Sequence, residues 1–239
     1  MGRDVRRDVC VDRFRPVAAS MVVAIHTDPL ADVSPMLNEA LVYGIFRVAV
    51  PFFLMVAGRY VLAPFLAHLP GSRDRMRRYA LRAAMTYLLA TAAYLPLMAY
   101  AGNLPASVPA FLRWFLVDGT VYHLWYFPAL VLGLATCCVL SRFGARLAFA
   151  AAVALYLVGI GGDSYFGAVG TAAPLEPMYG VLFSCVGYTR NGLFYVPLFL
   201  MLGAVSRPAE EGVRARDGVL LVVSLLAVAT EACLTSALG

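Results

Sequence analysis

Arg15 and His26 are the first candidates for chemistry, set in the run Arg13-Phe14-Arg15-Pro16-Val17-Ala18-Ala19-Ser20-Met21-Val22-Val23-Ala24-Ile25-His26-Thr27-Asp28. An imidazole titrates near neutral pH, so His26 suits a general base, and a guanidinium presents a planar fork to phosphate or carboxylate oxygens. Eleven positions separate the two. At about 100° per residue this is three helical turns plus about 20°, which puts both side chains on one face, about 16 Å apart along the axis. An ionisable side chain inside a membrane is costly unless it faces a partner or water, so His26 reads first as a functional residue. The plainer alternative is an imidazole satisfied by a neighbouring helix, or one that caps the helix end near Pro29.

The elements that must position these residues are membrane spans. The 239-residue chain is 62% hydrophobic and only 14% charged, against about 25% charged in soluble domains. Apolar runs near span length recur, so the expected fold is all-α: a polytopic transmembrane helix bundle of about seven spans in a single domain, 1–239. The chain has 19 basic residues besides histidine and no lysine among them, giving a net charge of +5. The arginines cluster in short loops with no aromatic-interleaved basic surface, so they read as topology signals, and nucleic acid is not an expected partner. The five cysteines and three histidines show no ligand or disulfide spacing, so neither a metal site nor a disulfide framework is expected.

In chain order, residues 1–15 form a charged inner segment. Spans are expected at about 16–30, 41–69, 83–101, 122–140, 147–160, 188–205 and 218–238, with the N-terminus cytoplasmic by the arginine bias. The first is read as a retained span rather than a cleaved leader, because it holds His26 and Asp28 and no small-residue cleavage pattern follows. The second carries Arg47, Pro51, Gly58 and Arg59, which mark an interrupted span of the kind that lines a polar interior. Arg47 and Arg59 are also placed to snorkel to the two interfaces. The densest basic loop, Arg73, Arg75, Arg77, Arg78 and Arg82, precedes the third span. The aromatic run from Tyr122 to Phe127, which includes His123, fits an interfacial belt. Asp163, Tyr188, Arg190 and Asn191 are expected outside, with Asn191 also a natural helix cap. Pro51, Pro96, Pro128 and Pro197 are each expected to interrupt a span.

Several of these stretches together resemble the acyltransferase-3 family of integral-membrane acyltransferases. They are Arg15 with His26, the run Arg-Val-Ala-Val-Pro-Phe-Phe-Leu-Met-Val-Ala-Gly at 47–58, Arg75-x-x-Arg78, and His123-Leu124-Trp125-Tyr126. A further likeness is to the membrane half of the vancomycin-resistance membrane serine racemases. It runs through Gly119 to Leu130, through Gly162-Asp163-Ser164-Tyr165, and through Tyr188-Thr189-Arg190-Asn191-Gly192-Leu193-Phe194.

The resemblance implies transfer of an acyl group, typically acetyl, from cytoplasmic acyl-coenzyme A to a hydroxyl or amine of a cell-envelope acceptor. It implies His26 as catalytic base and Arg15, Arg75 and Arg78 as contacts to the phosphates of the acyl-CoA donor. Arg47 and His123 are secondary candidates on the acceptor side. Acyl-CoA is then a co-substrate, with no bound cofactor, and the lipid bilayer is the surrounding partner. Family members carry more spans than this chain supplies, so a shortened member, a fragment, or dependence on a partner subunit is expected. The racemase relatives continue into a soluble pyridoxal-phosphate domain that this sequence lacks, so racemisation is not expected. The alternative from another class is a membrane module that moves a small amino acid such as serine.

Overall fold

The computed structural model describes residues 9–169 and 174–206. Among them every regular element is helical. The expected seventh span, 218–238, lies outside the described residues.

The helices, in order, are α1 (Val9–Thr27), a long helical run α2 (Pro35–Leu66), α3 (Ser72–Tyr100), α4 (Val108–Arg113), α5 (Tyr126–Ser141), α6 (Ala145–Gly161), α7 (Glu176–Cys185) and α8 (Val196–Val205). Three stretches are long and apolar enough to cross a membrane: Pro35–Leu66, Ser72–Tyr100 and Tyr122–Ser141. Two shorter apolar helices, α6 and α8, accompany them. At about 1.5 Å per residue α3 is about 43 Å long, enough to cross a hydrocarbon core of about 30 Å with its arginine-rich first turns beyond it. Among the described residues the protein is all-helical, with the span-length apolar helices of a membrane protein.

The described residues fall into two compact units, 9–53 with Ser206, and 54–205. In the first, α1 packs on the 45–48 segment of α2. Ala18, Val42 and Ala49 are all fully buried, and the Phe14 ring meets Phe52 edge-on at 4.8 Å. A small residue on α1 lets the backbones approach, as is common where lipid supplies no hydrophobic drive between helices. The turn after α1 is tied back by Asn38, whose Nδ2 donates to Asp28 Oδ1 at 3.1 Å while its Oδ1 accepts from the Leu30 N–H at 3.3 Å.

In the second unit α5 packs against α3, α6 and α8. α2 is not cut by Pro51; that residue sits in the first turn of the regular α-helix Ala49–Ala57, where its missing N–H costs nothing. The irregularities lie elsewhere, as wide π-type turns at Glu39–Gly44 and Gly58–Leu62 and a tight 3₁₀ turn at Ile45–Val48. The turn at Gly58 forms the seat for α8. A Cβ on Gly58 would collide with the Leu200 carbonyl oxygen, and one on Gly203 would collide with that of Met55. Each glycine thus admits the other helix's backbone, and no side chain separates the two.

Pro128 and Pro197 also fall in first turns, of α5 and α8, so of these four only Pro96 lies well inside a helix; Pro16, expected in a first turn, also lies inside one, α1. The segment expected to open the sixth span, 188–195, is turn rather than helix. Asn191 Oδ1 accepts the backbone N–H groups of Leu193 and Phe194 at 2.9 and 3.1 Å, holding the chain in a cap ahead of α8.

Candidate functional site

Arg15 and His26 both lie on α1, one unbroken α-helix, so the shared face expected from their spacing is kept. Both side chains are exposed, His26 in the last turn and Arg15 in an ion pair with Asp12 at 2.7 Å. Arg47 is exposed in the 3₁₀ turn on which α1 packs.

In the second unit Arg75 and Arg78 are exposed in the first two turns of α3. Their spacing puts them about 60° apart on one face. Thr91 lies 13 residues beyond Arg78, which is about 20 Å further along the same helix.

There α3 supports a rim of polar groups. Tyr87 Oη donates to the Phe115 carbonyl at 2.8 Å and accepts the Thr120 N–H at 3.1 Å. The Thr91 and Thr120 hydroxyls are 2.8 Å apart, and the Tyr94 ring meets His123 edge-on at 5.1 Å. Tyr87, Thr91 and Tyr94 recur at helical spacing, so one polar stripe of an otherwise apolar helix fixes the 115–123 segment. His123 is half-buried in that segment. Gly119 turns the chain there at φ 88°, and a side chain on it would meet the Trp125 backbone.

A second layer binds this segment to residues 187–191. Asp118 accepts from Arg113 Nε at 3.2 Å and from the Gly187 N–H at 3.3 Å, and its carbonyl accepts the Tyr188 hydroxyl. Burial raises the Asp118 carboxyl above its usual range, outweighing the Arg113 charge that favours ionisation. Burial, reinforced by the Asp118 charge, likewise pushes the Tyr188 phenol up. Thr189 is buried with its hydroxyl on the Gly159 carbonyl at 2.6 Å, and Asn191 is buried on the Tyr188 carbonyl at 2.8 Å. Between them Arg190 pairs with Asp163 through Nη2 and Nε to the same oxygen, at 2.6 and 3.1 Å.

Asp163, Tyr188, Arg190 and Asn191, grouped by sequence as outer residues, are therefore brought to one region, with Asp163 and Arg190 in direct contact. Asp118, Thr120 and the α3 stripe were not singled out by sequence. The stripe had a readable signal, three hydroxyl-bearing side chains at positions i, i+4 and i+7 of an apolar helix. Among the described residues no group of three or more His, Cys, Asp or Glu side chains could hold a metal ion.

Helices of membrane-crossing length with glycine-seated packing and a polar rim define an integral-membrane protein. Residues 8–237 match the acyltransferase-3 family, described as an acyltransferase domain, and the chain belongs to that family. It is 40% identical over 226 residues to the serine/alanine racemase of Enterococcus gallinarum, covering 92% of this chain and 32% of that protein. It is 41% identical over 197 residues to an amino-acid racemase of Enterococcus faecalis, covering 81% of this chain and 28% of the relative. The chain thus spans about a third of the length of the curated relatives it matches. No solved structure matches it.

Proposed function

We propose that the protein is a multi-pass enzyme of the bacterial cytoplasmic membrane that moves an acyl group, acetyl in the simplest case, from cytoplasmic acyl-coenzyme A to a hydroxyl or amine of a cell-envelope acceptor. The observation that carries this reading is family membership across nearly the whole chain, with Arg15 and His26 on one face of a single helix. His26 removes the acceptor proton as its oxygen or nitrogen attacks the thioester carbonyl. The carbon–sulfur bond then breaks, and the imidazolium returns the proton to the departing coenzyme A thiolate. Arg15, Arg75 and Arg78 hold donor phosphates, and Arg47 and His123 serve the acceptor side.

The test is transfer of label from acetyl-labelled coenzyme A by the purified full chain in nanodiscs, screened over sugar and amine acceptors. His26→Ala should lower the rate at least about a hundredfold, the scale of a lost general base. Arg75→Gln and Arg78→Gln should raise the KM for the donor. Transfer undiminished in His26→Ala would remove the base from this scheme.

A second reading, a membrane module that binds or moves a small amino acid, is favoured by the relatives' names, serine/alanine racemase and amino-acid racemase. Vesicles that accumulate labelled serine without coenzyme A would favour it over acyl transfer.

A further inference from the structure

The five arginines that open α3 do not share a face. At about 100° per residue, Arg75, Arg78 and Arg82 lie within about 60° of one another, whereas Arg73 and Arg77 lie about 40° apart and centred on nearly the opposite side of the helix. All five are exposed, and among the described residues none is ion-paired. One helix end thus presents two separate cationic surfaces.

The Arg73 surface borders an open pocket of about 340 Å³ lined by Phe65, His68, Leu69, Gly71, Ser72, Arg73 and Asp74. The pocket lies at the turn between two membrane-length helices, Pro35–Leu66 and Ser72–Tyr100, which is the depth at which lipid headgroups lie. Its apolar wall is not folded away: Leu69 is 54% exposed and Phe65 half-buried. Cationic side chains beside exposed apolar ones suit a ligand with a phosphate and a hydrocarbon body. His68 holds a left-handed backbone, φ 52°, at the pocket wall.

We propose that this pocket binds the headgroup phosphate of an anionic phospholipid through Arg73 and His68 in its lining, with Arg77 reaching in from one turn further along the same face of α3. Phe65 and Leu69 pack on the lipid's glycerol and first methylenes, and the Asp74 carboxylate accepts a headgroup hydroxyl. The site is distinct from the donor contacts assigned to Arg75 and Arg78, and it goes beyond the acyl-transfer reading without depending on it.

The test is native mass spectrometry of the full chain released from micelles doped with equal phosphatidylglycerol and phosphatidylcholine. The expected result is at least a fivefold preference for retained phosphatidylglycerol. It should be lost in Arg73→Gln/Arg77→Gln, reduced in His68→Gly, and kept in Arg75→Gln/Arg78→Gln. Glycine accepts the left-handed backbone, so His68→Gly removes the imidazole without adding strain.

Equal retention of the two lipids would overturn the proposal. So would loss of the preference in Arg75→Gln/Arg78→Gln with Arg73→Gln/Arg77→Gln unaffected. Displacement of the lipid by coenzyme A or inorganic phosphate would show a general phosphate site and also overturn it. Acyl transfer assayed on the same preparations fails or succeeds independently of lipid retention, so the two readings are told apart.

Discussion

Tyr87→Phe isolates the bond that fixes the polar rim to α3. Tyr87 is 5% exposed, and its phenol oxygen serves two backbone groups, the Phe115 carbonyl at 2.8 Å and the Thr120 N–H at 3.1 Å. Phenylalanine keeps the ring and its tilted contact with Phe115 at 5.3 Å. Both backbone groups lose their partner, and Thr120 is only 2% exposed, so water cannot replace the acceptor for its N–H. With about 1 kcal/mol net per hydrogen bond and a surcharge for a buried donor left unpaired, the loss comes to about 2–3 kcal/mol. Unfolding by dodecyl sulfate titration in mixed micelles measures it, with Tyr100→Phe as control because Tyr100 is 91% exposed. Amide exchange at Thr120 should quicken in parallel. A Tyr87→Phe protein within about 0.5 kcal/mol of the parent, with Thr120 still protected, would refute the argument that this phenol anchors the rim.

Gly58→Ala and Gly203→Ala should each destabilise by about 1–3 kcal/mol or more, because the added methyl meets a backbone carbonyl that has no rotamer to change. Gly180→Ala, inside α7 where a Cβ meets nothing within 4 Å, should instead stabilise by about 0.5–1 kcal/mol in the same titration. For Asp118 the raised carboxyl means that the folded chain holds its proton more tightly than the unfolded chain. Its contribution to stability therefore falls as pH rises from about 4 through the raised value, and Asp118→Asn should flatten that part of the stability–pH profile. A profile equally steep in the variant would contradict the assignment.

The membrane helices were legible because long apolar runs bounded by arginine have few alternatives: spans read from sequence at about 83–101 and 122–140 correspond to Ser72–Tyr100 and Tyr122–Ser141. The error at 188–195 has a local cause. Leu193 to Tyr195 continue the apolar run of α8, but Asn191 turns its side chain onto the next backbone N–H groups and Thr189 bonds to Gly159, so the segment is held as a turn. The prolines were misread for a related reason, since a proline in a first turn leaves the same composition as one that kinks a helix. The common face of Arg15 and His26 was legible because both belong to one helix, where spacing alone sets the face. The rim was not, because its bonds join residues 28 to 70 positions apart, as in Tyr87 with Phe115 and Asp118 with Tyr188. No local pattern encodes such a pairing.

The two ends of α3 carry opposite chemistries, guanidinium groups in its opening turns and hydroxyl groups further along. Pro96 lacks the N–H that would close on the Ala92 carbonyl, so the backbone ladder runs without a proline gap from Arg75 to Thr91 and the joint falls just beyond. Up to that point the helix is a strut, so a tilt of its arginine end would carry to the Tyr87 and Thr91 anchors of the 115–123 segment. The guanidinium end and the hydroxyl end of α3 are thereby mechanically tied.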